Sequence, residues 1–230
     1  AAGRTAALLS GDVDMIEMPA ASDLPRLRGT AGLVVVSAPG LRVIYLAPEH
    51  GDAAPAPFVT AADGSALASN PLARREVRQA LSLAINRTGL AERVLEGTAV
   101  PTVQILPLGT FSAVPTLTVG EPDPSRARAL LASAGYPNGF RLTLHVPTDR
   151  YPGAPAVGQA VAQMWTRIGV RTEVQALPWS TYAARTSRQE FNMRMGGWGS
   201  STGEASYMLV NIFVTYDRER RRGASNSSRY

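Results

Sequence analysis

The sequence lacks cysteine and lysine, and it contains only two histidines, His50 and His145. Without cysteine there is no disulfide, no thiolate zinc site and no cysteine nucleophile. Because all 23 basic residues are arginine, the lysine of a P-loop, of Schiff-base chemistry and of serine–lysine catalysis is also absent. No apolar run approaches the roughly 20 residues of a membrane-spanning helix. These absences exclude much of enzyme chemistry, and we predict no cofactor and no metal site.

The composition is that of a globular protein. Of the 230 residues, 45% are hydrophobic and 18% are charged, which suits one large domain or two small lobes. The net charge is +5, and residues 217–222 carry four arginines against two acids. A nucleic-acid-binding surface would interleave such charges with stacking aromatics, so we interpret this segment as a solvated surface and predict no nucleic-acid partner. An interaction module built on the arginine-rich tail stays open as an alternative.

Hydrophobic periodicity and glycine or proline signals divide the first half of the chain into elements. They predict a short helix that ends before Gly11, a strand near 13–16, β-runs over 33–38 and 41–47, a loop over 48–72, helices over 74–87 and 89–96, and an irregular segment over 98–121. The run 41–47 is apolar on both faces, which predicts a strand buried on two sides.

The second half alternates helices and strands. Asp123-Pro124 predicts a helix start, and apolar periodicity predicts strands over 141–147 and 170–177 with a helix over 157–168 between them. This strand–helix–strand unit predicts parallel strands joined by a right-handed crossover. A last strand is predicted over 191–198. The residues therefore indicate an α/β or α+β fold.

The strongest catalytic pattern is Gly199-Ser200-Ser201-Thr202-Gly203. It matches the G-x-S-x-G nucleophile elbow and follows a predicted strand. A hydrolase of that type needs a histidine after the serine in the chain, to accept the serine proton, and both histidines come before it. A serine hydrolase that uses Ser201 is therefore kept as the alternative function.

Three other side chains carry predictions about their surroundings. Trp165 lies on a helical apolar stripe and is predicted to be in the core. His145 faces away from the apolar side of its strand and is predicted to be exposed or hydrogen-bonded. Trp198 follows two glycines at a strand end, where a core position and a ligand contact both remain open, because aromatic walls are common in small-molecule sites.

Several strings resemble one known family when they are taken together. NPLARREVRQALSLAINRTGLAERVLEG (70–97), EPDPSRARALLASAGYPNGFRLTLHVP (121–147) and IGVRTEVQALPWSTYAAR (168–185) resemble the second lobe of bacterial extracellular solute-binding proteins of family 5. These proteins are the dipeptide- and oligopeptide-binding components of ABC importers. The opening ALLSGDVDMIEMPAASDLPRL and the later FNMRMGGWGSSTGEASYML also resemble that family, in the same order.

The resemblance implies a two-lobed α/β fold of the type II periplasmic-binding-protein kind, seen here mainly as its second lobe with the crossover strands. We expect residues 1–47 to form the end of lobe one and the first crossover strand, 48–198 lobe two with the return strand, and 199–230 the start of the return to lobe one. The chain is thus expected to be part of a longer protein, with its signal peptide outside these residues. The implied location is periplasmic or otherwise extracytoplasmic. The implied partners are a solute and the permease subunits, and contact with the membrane is expected only through the permease or an N-terminal anchor.

The resemblance also implies a set of ligand contacts around the GW turn. We expect these contacts to come from Trp198, Ser200, Ser201 and Glu204, with Tyr45 on the first crossover strand as a further candidate. Peptide binders of the family carry an aspartate at the position of Ser201, where it pairs with the ligand's ammonium group, and Glu204 is the nearest substitute. The expected ligand is therefore a peptide, a modified peptide, a glutathione-like compound or another small polar solute.

Overall fold

The computed structural model describes residues 2–51 and 58–229. Its helices are α1 (Ala2–Ser10), α2 (Leu24–Arg28), α3 (Arg75–Leu83), α4 (Arg87–Gly89), α5 (Pro124–Ser133), α6 (Ala154–Arg167), α7 (Trp179–Ser187) and α8 (Ala205–Met208). Its strands are β1 (Arg42–Pro48), β2 (Val59–Ala61), β3 (Phe140–Pro147), β4 (Val170–Leu177) and β5 (Met193–Gly199). Short π-helical turns, Leu90–Val94 and Leu209–Phe213, extend α4 and α8.

The five strands form one mixed sheet with β3 at its centre. Strand β4 runs parallel to β3 on one side, with β2 (antiparallel) and β5 (parallel) on the other. Strand β1 runs antiparallel to β5 and lies at the edge of the sheet. The parallel β3–α6–β4 unit confirms the prediction, because a helical crossover is what returns the chain to a parallel strand.

The main core lies between the sheet and the helices α3, α5 and α6. The apolar stripe of α3, with Val77, Ala80 and Leu81 all buried, packs in one cluster with the inner side chains of β3 and α6. Trp165 on α6 is 1% exposed, and its indole nitrogen donates to the carbonyl oxygen of Leu81 at 2.9 Å. The core position predicted for Trp165 is confirmed.

The turn that starts β3 requires glycine. Gly139 has a φ of 69°, and a Cβ built on it would overlap the carbonyl oxygen of Gly169. Gly169 itself has a φ of 100° and leads into β4, so the two glycines bring the starts of the parallel strands into close backbone contact.

Two strands predicted near the start of the chain are wrong. Residues 13–16 and 33–38 have no regular structure, and Val34 and Val36 are 85% and 86% exposed. A strand needs a neighbour for its backbone N–H and C=O groups, and no strand pairs with either segment within the described residues. The high β-propensity of the side chains was therefore not enough to form a strand in either segment.

Predictions for other elements in and around the sheet also differ from the structure. Strand β2 lies inside the segment 48–72 that was predicted to be a loop, whose residues 52–57 are outside the described part of the chain. The helix α7 had no sequence prediction. Strand β1 is less buried than expected, with Ile44 40% exposed, because it is an edge strand with β5 as its neighbour.

The prediction for His145 is wrong in its expectation of exposure. The ring is 0% exposed and stacks on Phe191, with the ring centroids 4.1 Å apart, while Phe58 meets it edge-on at 4.6 Å. The second face of β3 is covered as well, by α7 and the segment before β2. Both faces of β3 are therefore buried, and the alternation of apolar and polar residues along this strand does not mark a solvent-exposed face.

Candidate functional site

The sheet splits at the carboxyl ends of its central strands. Strands β3 and β5 pair at two positions, Leu144 with Met193 and His145 with Arg194. Beyond that point β3 continues beside β4, while β5 continues beside β1 as far as Gly199. A crevice opens between them, and such an opening at the carboxyl ends of strands is where α/β sheets usually bind ligands.

Aromatic side chains pack beside this opening, on the side of β3 and α7. Tyr151 meets Trp179 at 6.2 Å between ring centroids, Trp179 stacks on Tyr182 at 5.9 Å, and Tyr182 contacts Phe191 at 5.2 Å. The hydroxyl of Tyr182 donates to the carbonyl oxygen of Met195 at 2.5 Å. This bond satisfies a backbone group of β5 at the point where β3 no longer runs beside it.

Two glycines of β5 allow two tyrosines to lie directly on the strand. A Cβ on Gly196 would be 2.6 Å from Cε2 of Tyr45, and a Cβ on Gly197 would be 2.7 Å from Cε1 of Tyr151. Successive residues of a strand point to opposite faces, so the rings cover opposite sides of β5. Both glycines are required for close packing.

A buried cation, Arg194, lies beside Tyr45 and Tyr182. Arg194 on β5 is 6% exposed, and its guanidinium group lies close enough to the hydroxyls of Tyr45 and Tyr182 to lower the pKa of both. Burial is the larger effect, and it raises the pKa of each phenol above its ordinary value. Both tyrosines therefore stay protonated at neutral pH and can act as hydrogen-bond donors.

Trp198 lies near the end of β5, between core and solvent. Its ring is half-buried and contacts Tyr207, with the ring centroids 5.3 Å apart. The indole nitrogen is shielded from solvent and has no hydrogen-bond partner among the residues that the structure describes. An unsatisfied buried N–H is costly.

The turn after Trp198 separates the other predicted contacts. Ser200 is 3% exposed, and its hydroxyl accepts from the backbone N–H of Gly203 at 3.0 Å. Ser201 is exposed. Glu204 is also exposed and accepts a hydrogen bond from the Ser206 hydroxyl at 2.9 Å. The structure therefore places Ser201 and Glu204 at the surface, and turns the hydroxyl of Ser200 inward to hold the turn.

No histidine approaches Ser201 in the described part of the chain. His145 pairs with Arg194 at the far end of β5, roughly 20 Å away at the rise of an extended strand. His50 follows Pro48, which pairs with Met193 at that same far end. The geometry thus gives no support to the serine hydrolase alternative, since its base must contact the serine.

The described residues contain neither a candidate metal centre nor a candidate membrane span. No cluster of histidine, aspartate and glutamate side chains there could hold a metal ion. Helices long and apolar enough to cross a membrane are also absent from that part of the chain.

Sequence reasoning missed three residues that pack around the opening of the sheet, namely Tyr151, Tyr182 and Arg194. Tyr151 could have been found, because it follows the carboxyl end of a predicted parallel strand by four residues. Arg194 gave no such signal, since an arginine within a strand is typical of an edge. Of the expected contacts, the structure brings Tyr45 and Trp198 to one face of the β1–β5 pair.

A split α/β sheet with aromatic and cationic groups at its opening has the arrangement of a small-molecule binding lobe. The chain belongs to the bacterial extracellular solute-binding proteins of family 5, whose family model, named for the middle part of these proteins, matches residues 1–219. The family membership predicted from the sequence is confirmed.

Curated relatives share about a quarter to a third of their residues with this chain. The di/tripeptide-binding protein 3 of Pseudomonas aeruginosa is 27% identical over 216 residues, covering 93% of this chain and 37% of that protein. The heme-binding protein A of Haemophilus influenzae is 28% identical, covering 99% and 38%. The glutathione-binding protein GsiB of Escherichia coli K12 is 33% identical over 150 residues, covering 63% and 29%. The chain therefore spans less than two-fifths of the length of these relatives.

Solved structures of peptide-binding proteins share the fold. The periplasmic binding protein DppA of Helicobacter pylori, in complex with the peptide STSA, superposes with a TM-score of 0.73 at 25% identity, covering 90% of this chain and 37% of that one. The dipeptide-binding protein of Pseudoalteromonas sp. SM9913, in complex with Met-Leu, gives a TM-score of 0.76 at 22% identity, covering 99% and 41%. The type II periplasmic-binding-protein fold is confirmed.

Proposed function

We propose that this chain is part of the substrate-binding component of an ABC importer, which captures a peptide or a related small polar solute and delivers it to a membrane permease. The observation that carries the proposal is the crevice at the split of the sheet, in a chain that belongs to a solute-binding family. Relatives named for dipeptides and glutathione support a peptide-like ligand. We infer a location outside the cytoplasm, as for the periplasmic relatives, and no enzymatic activity.

Closure of two lobes is the mechanism that we propose for capture. The boundaries expected at 47–48 and 198–199 fall at the ends of the antiparallel strands β1 and β5. Two adjacent strands that both cross between lobes form a natural hinge, because a small rotation of the pair moves one lobe as a body. The described residues would then supply one wall of the cleft.

The polar groups at the crevice favour a solute with both charged and apolar parts. Trp198 offers an apolar ring and an unsatisfied N–H, and the exposed carboxylate of Glu204 stands six residues further along the chain. A carboxylate is the usual partner for a ligand ammonium group. We propose that Glu204 takes this role in place of Ser201, whose hydroxyl can bind only as a neutral group.

Nuclear magnetic resonance of the indole protons tests the proposed function. With one cleft wall present we expect weak binding, roughly millimolar, by glutathione or by the dipeptide Met-Leu. Saturating ligand should shift the Nε1–H resonance of Trp198, which Trp198→Phe removes and thereby assigns. The buried indole of Trp165, bonded to Leu81, is the internal control and should not move. If neither peptide shifted the Trp198 resonance, the proposal of a peptide-like solute would be contradicted.

A fluorophosphonate probe tests the alternative function. Because neither histidine approaches Ser201, its hydroxyl has no base, and we expect no covalent labelling after prolonged incubation. Intact-mass spectrometry should show each protein, the wild type and Ser201→Ala, at its own unlabelled mass after the incubation. Stoichiometric labelling that Ser201→Ala abolishes would establish an activated serine and would contradict the proposed binding function.

A further inference from the structure

Residues 217–222 form a closed hairpin, which we call the arginine hairpin. The backbone N–H of Asp217 donates to the carbonyl oxygen of Arg222, and the N–H of Arg222 donates to the carbonyl oxygen of Asp217, both at 3.0 Å. The carboxylate of Asp217 also accepts from the backbone N–H of Arg220 at 3.0 Å and from its guanidinium group at 2.8 Å. The segment is therefore a structured turn that holds its arginines in a defined place.

The arginine hairpin is also fixed to the π-helical turn Leu209–Phe213. The N–H of Gly223, directly after the hairpin, donates to the carbonyl oxygen of Val210 at 2.8 Å. Gly223 has a φ of 66°, and a Cβ built on it would be 2.7 Å from the Cα of Tyr216. Because only glycine suits this backbone and this close approach, Val210 and Tyr216 are held directly beside the hairpin.

Three of the four arginines in the hairpin are not held by a salt bridge. Arg218, Arg221 and Arg222 are exposed, and none of them forms an ion pair within 4.0 Å in the part of the chain that the structure describes. Asp217 pairs with Arg220, which leaves Glu219 as the other acid of the hairpin. Neighbouring cations repel one another, so a partner that supplies negative charge is favoured here.

Apolar side chains lie at the base of the arginine hairpin. Leu209, Val210 and Tyr216 are 44%, 37% and 63% exposed. Two of them are next to the hairpin through the contacts of Gly223, and Leu209 directly precedes Val210. Aliphatic, aromatic and arginine side chains that are exposed together suit the boundary between lipid headgroups and acyl chains.

We propose that the arginine hairpin and its apolar neighbours bind the surface of a membrane that contains anionic phospholipids. The guanidinium groups of Arg218, Arg221 and Arg222 pair with lipid phosphates, to which a guanidinium can donate two parallel hydrogen bonds. Leu209 and Tyr216 enter the interfacial layer. A nucleic acid fits this surface less well, because its phosphate backbone is bound by polar and cationic groups and offers nothing to an aliphatic side chain.

This inference develops the interaction module that the sequence left open, and it adds a membrane contact besides the permease. It goes beyond the proposed function, since no solute takes part, and it depends on that function only for the place of the protein beside a membrane. Weak attachment to the lipid surface raises the effective concentration of the protein near a permease in the same membrane.

Co-sedimentation of the whole chain with large unilamellar vesicles tests the proposal. At low salt we expect phosphatidylcholine vesicles with roughly 30% phosphatidylglycerol to bind the chain at least tenfold more tightly than pure phosphatidylcholine vesicles. The triple variant Arg218→Gln, Arg221→Gln, Arg222→Gln should bind the anionic vesicles about 100-fold more weakly, at about fivefold for each arginine. Sodium chloride at about 1 M should remove the binding of the wild type, because it screens the charges.

Matched variants separate the arginine hairpin from net charge and from general apolar exposure. The triple variant Arg75→Gln, Arg126→Gln, Arg171→Gln loses the same charge from exposed residues of α3, α5 and β4, and it should stay within about threefold of the wild type. Tyr216→Ser should weaken binding to the anionic vesicles about threefold. Val34→Ser, which changes a more exposed apolar residue elsewhere in the chain, should have no effect.

Several outcomes would overturn the proposal. Equal binding to both kinds of vesicle, binding to neither, or equal losses in the two triple variants would refute the arginine hairpin as a lipid-binding surface. Tighter binding to a single-stranded oligonucleotide than to the anionic vesicles, removed by the hairpin substitutions, would make the partner a nucleic acid and the proposal wrong. The Tm of the hairpin variant should stay within about 2 °C of the wild type, since exposed side chains are changed.

The vesicle result is independent of the Trp198 resonance. A chain that binds neither glutathione nor Met-Leu can still bind the anionic vesicles, and a chain that binds these peptides can fail to do so. The proposed function and the lipid-binding surface are therefore refuted by different measurements.

Discussion

Gly139→Ala should destabilise the chain more than any other single methyl group added to it, by about 3 kcal/mol or more of the free energy of unfolding. The new Cβ would overlap the carbonyl oxygen of Gly169, and the φ of 69° is itself unfavourable for alanine. Neither backbone can move freely, because the two residues start the adjacent parallel strands β3 and β4. Urea denaturation monitored by circular dichroism measures the loss.

Two matched glycines separate the contributions. Gly120 has open space around it and no positive φ, so Gly120→Ala should leave the free energy of unfolding nearly unchanged. Gly97 has a φ of 72° with nothing near its Cβ position, so Gly97→Ala should cost about 1 kcal/mol from conformation alone. A Gly139→Ala loss no larger than that of Gly97→Ala would show that the close approach of β3 and β4 is not a fixed feature of the fold.

Acidification should destabilise the chain through His145. Burial lowers the pKa of this imidazole to about 4 from its ordinary 6.5, and the charge of Arg185 adds to the effect. Above pH 6.5 the ring is neutral in both states. As the pH falls from 6.5 towards 4, only the unfolded state takes up the proton, so the free energy of unfolding drops by about 1.4 kcal/mol per pH unit and about 3 kcal/mol in all.

The variant His145→Phe isolates this effect. A phenyl ring preserves the stack between Phe58 and Phe191 but cannot take up a proton. We expect the fall in unfolding free energy between pH 7 and pH 4.5 to be about 2 kcal/mol smaller in His145→Phe than in the wild type. The carboxylates and His50 are common to both proteins, so their contributions cancel in the comparison. An equal fall in both would mean that the folded chain accepts the proton on His145 after all.

The elements that the sequence predicted well are those whose signals are local. The stripe of α3, the Asp123 cap of α5, which accepts from the Arg126 N–H at 2.8 Å, and the β3–α6–β4 unit all depend on neighbouring residues. Strands at 13–16 and 33–38 failed because a strand exists only where another strand pairs with it. Burial of His145 could not be foreseen for a similar reason, since it depends on α7 and Phe58, which lie far away in sequence.

The candidate site was predictable only in part. Trp198 and the turn after it stand in a recognisable string, and Tyr45 lies on an apolar strand next to it in space. Arg194 and Tyr151 belong to the site because β3 and β5 separate after two paired positions, and no residue pattern encodes where two strands part. Ser200 is the opposite case. The motif drew attention to it as a ligand contact, but its hydroxyl accepts from the Gly203 N–H and so stabilises the turn.

The paired packing of glycine and tyrosine on β5 restricts how this protein can vary. Any side chain at residue 196 or 197 must first displace the ring of Tyr45 or Tyr151, so a change at either glycine is acceptable only together with a smaller residue at its tyrosine. Such a compensatory double substitution would remove an aromatic ring from its place against β5 in a single step. Related proteins that differ at these positions should therefore differ in pairs, and each pair should mark a change in the size of solute that the crevice admits.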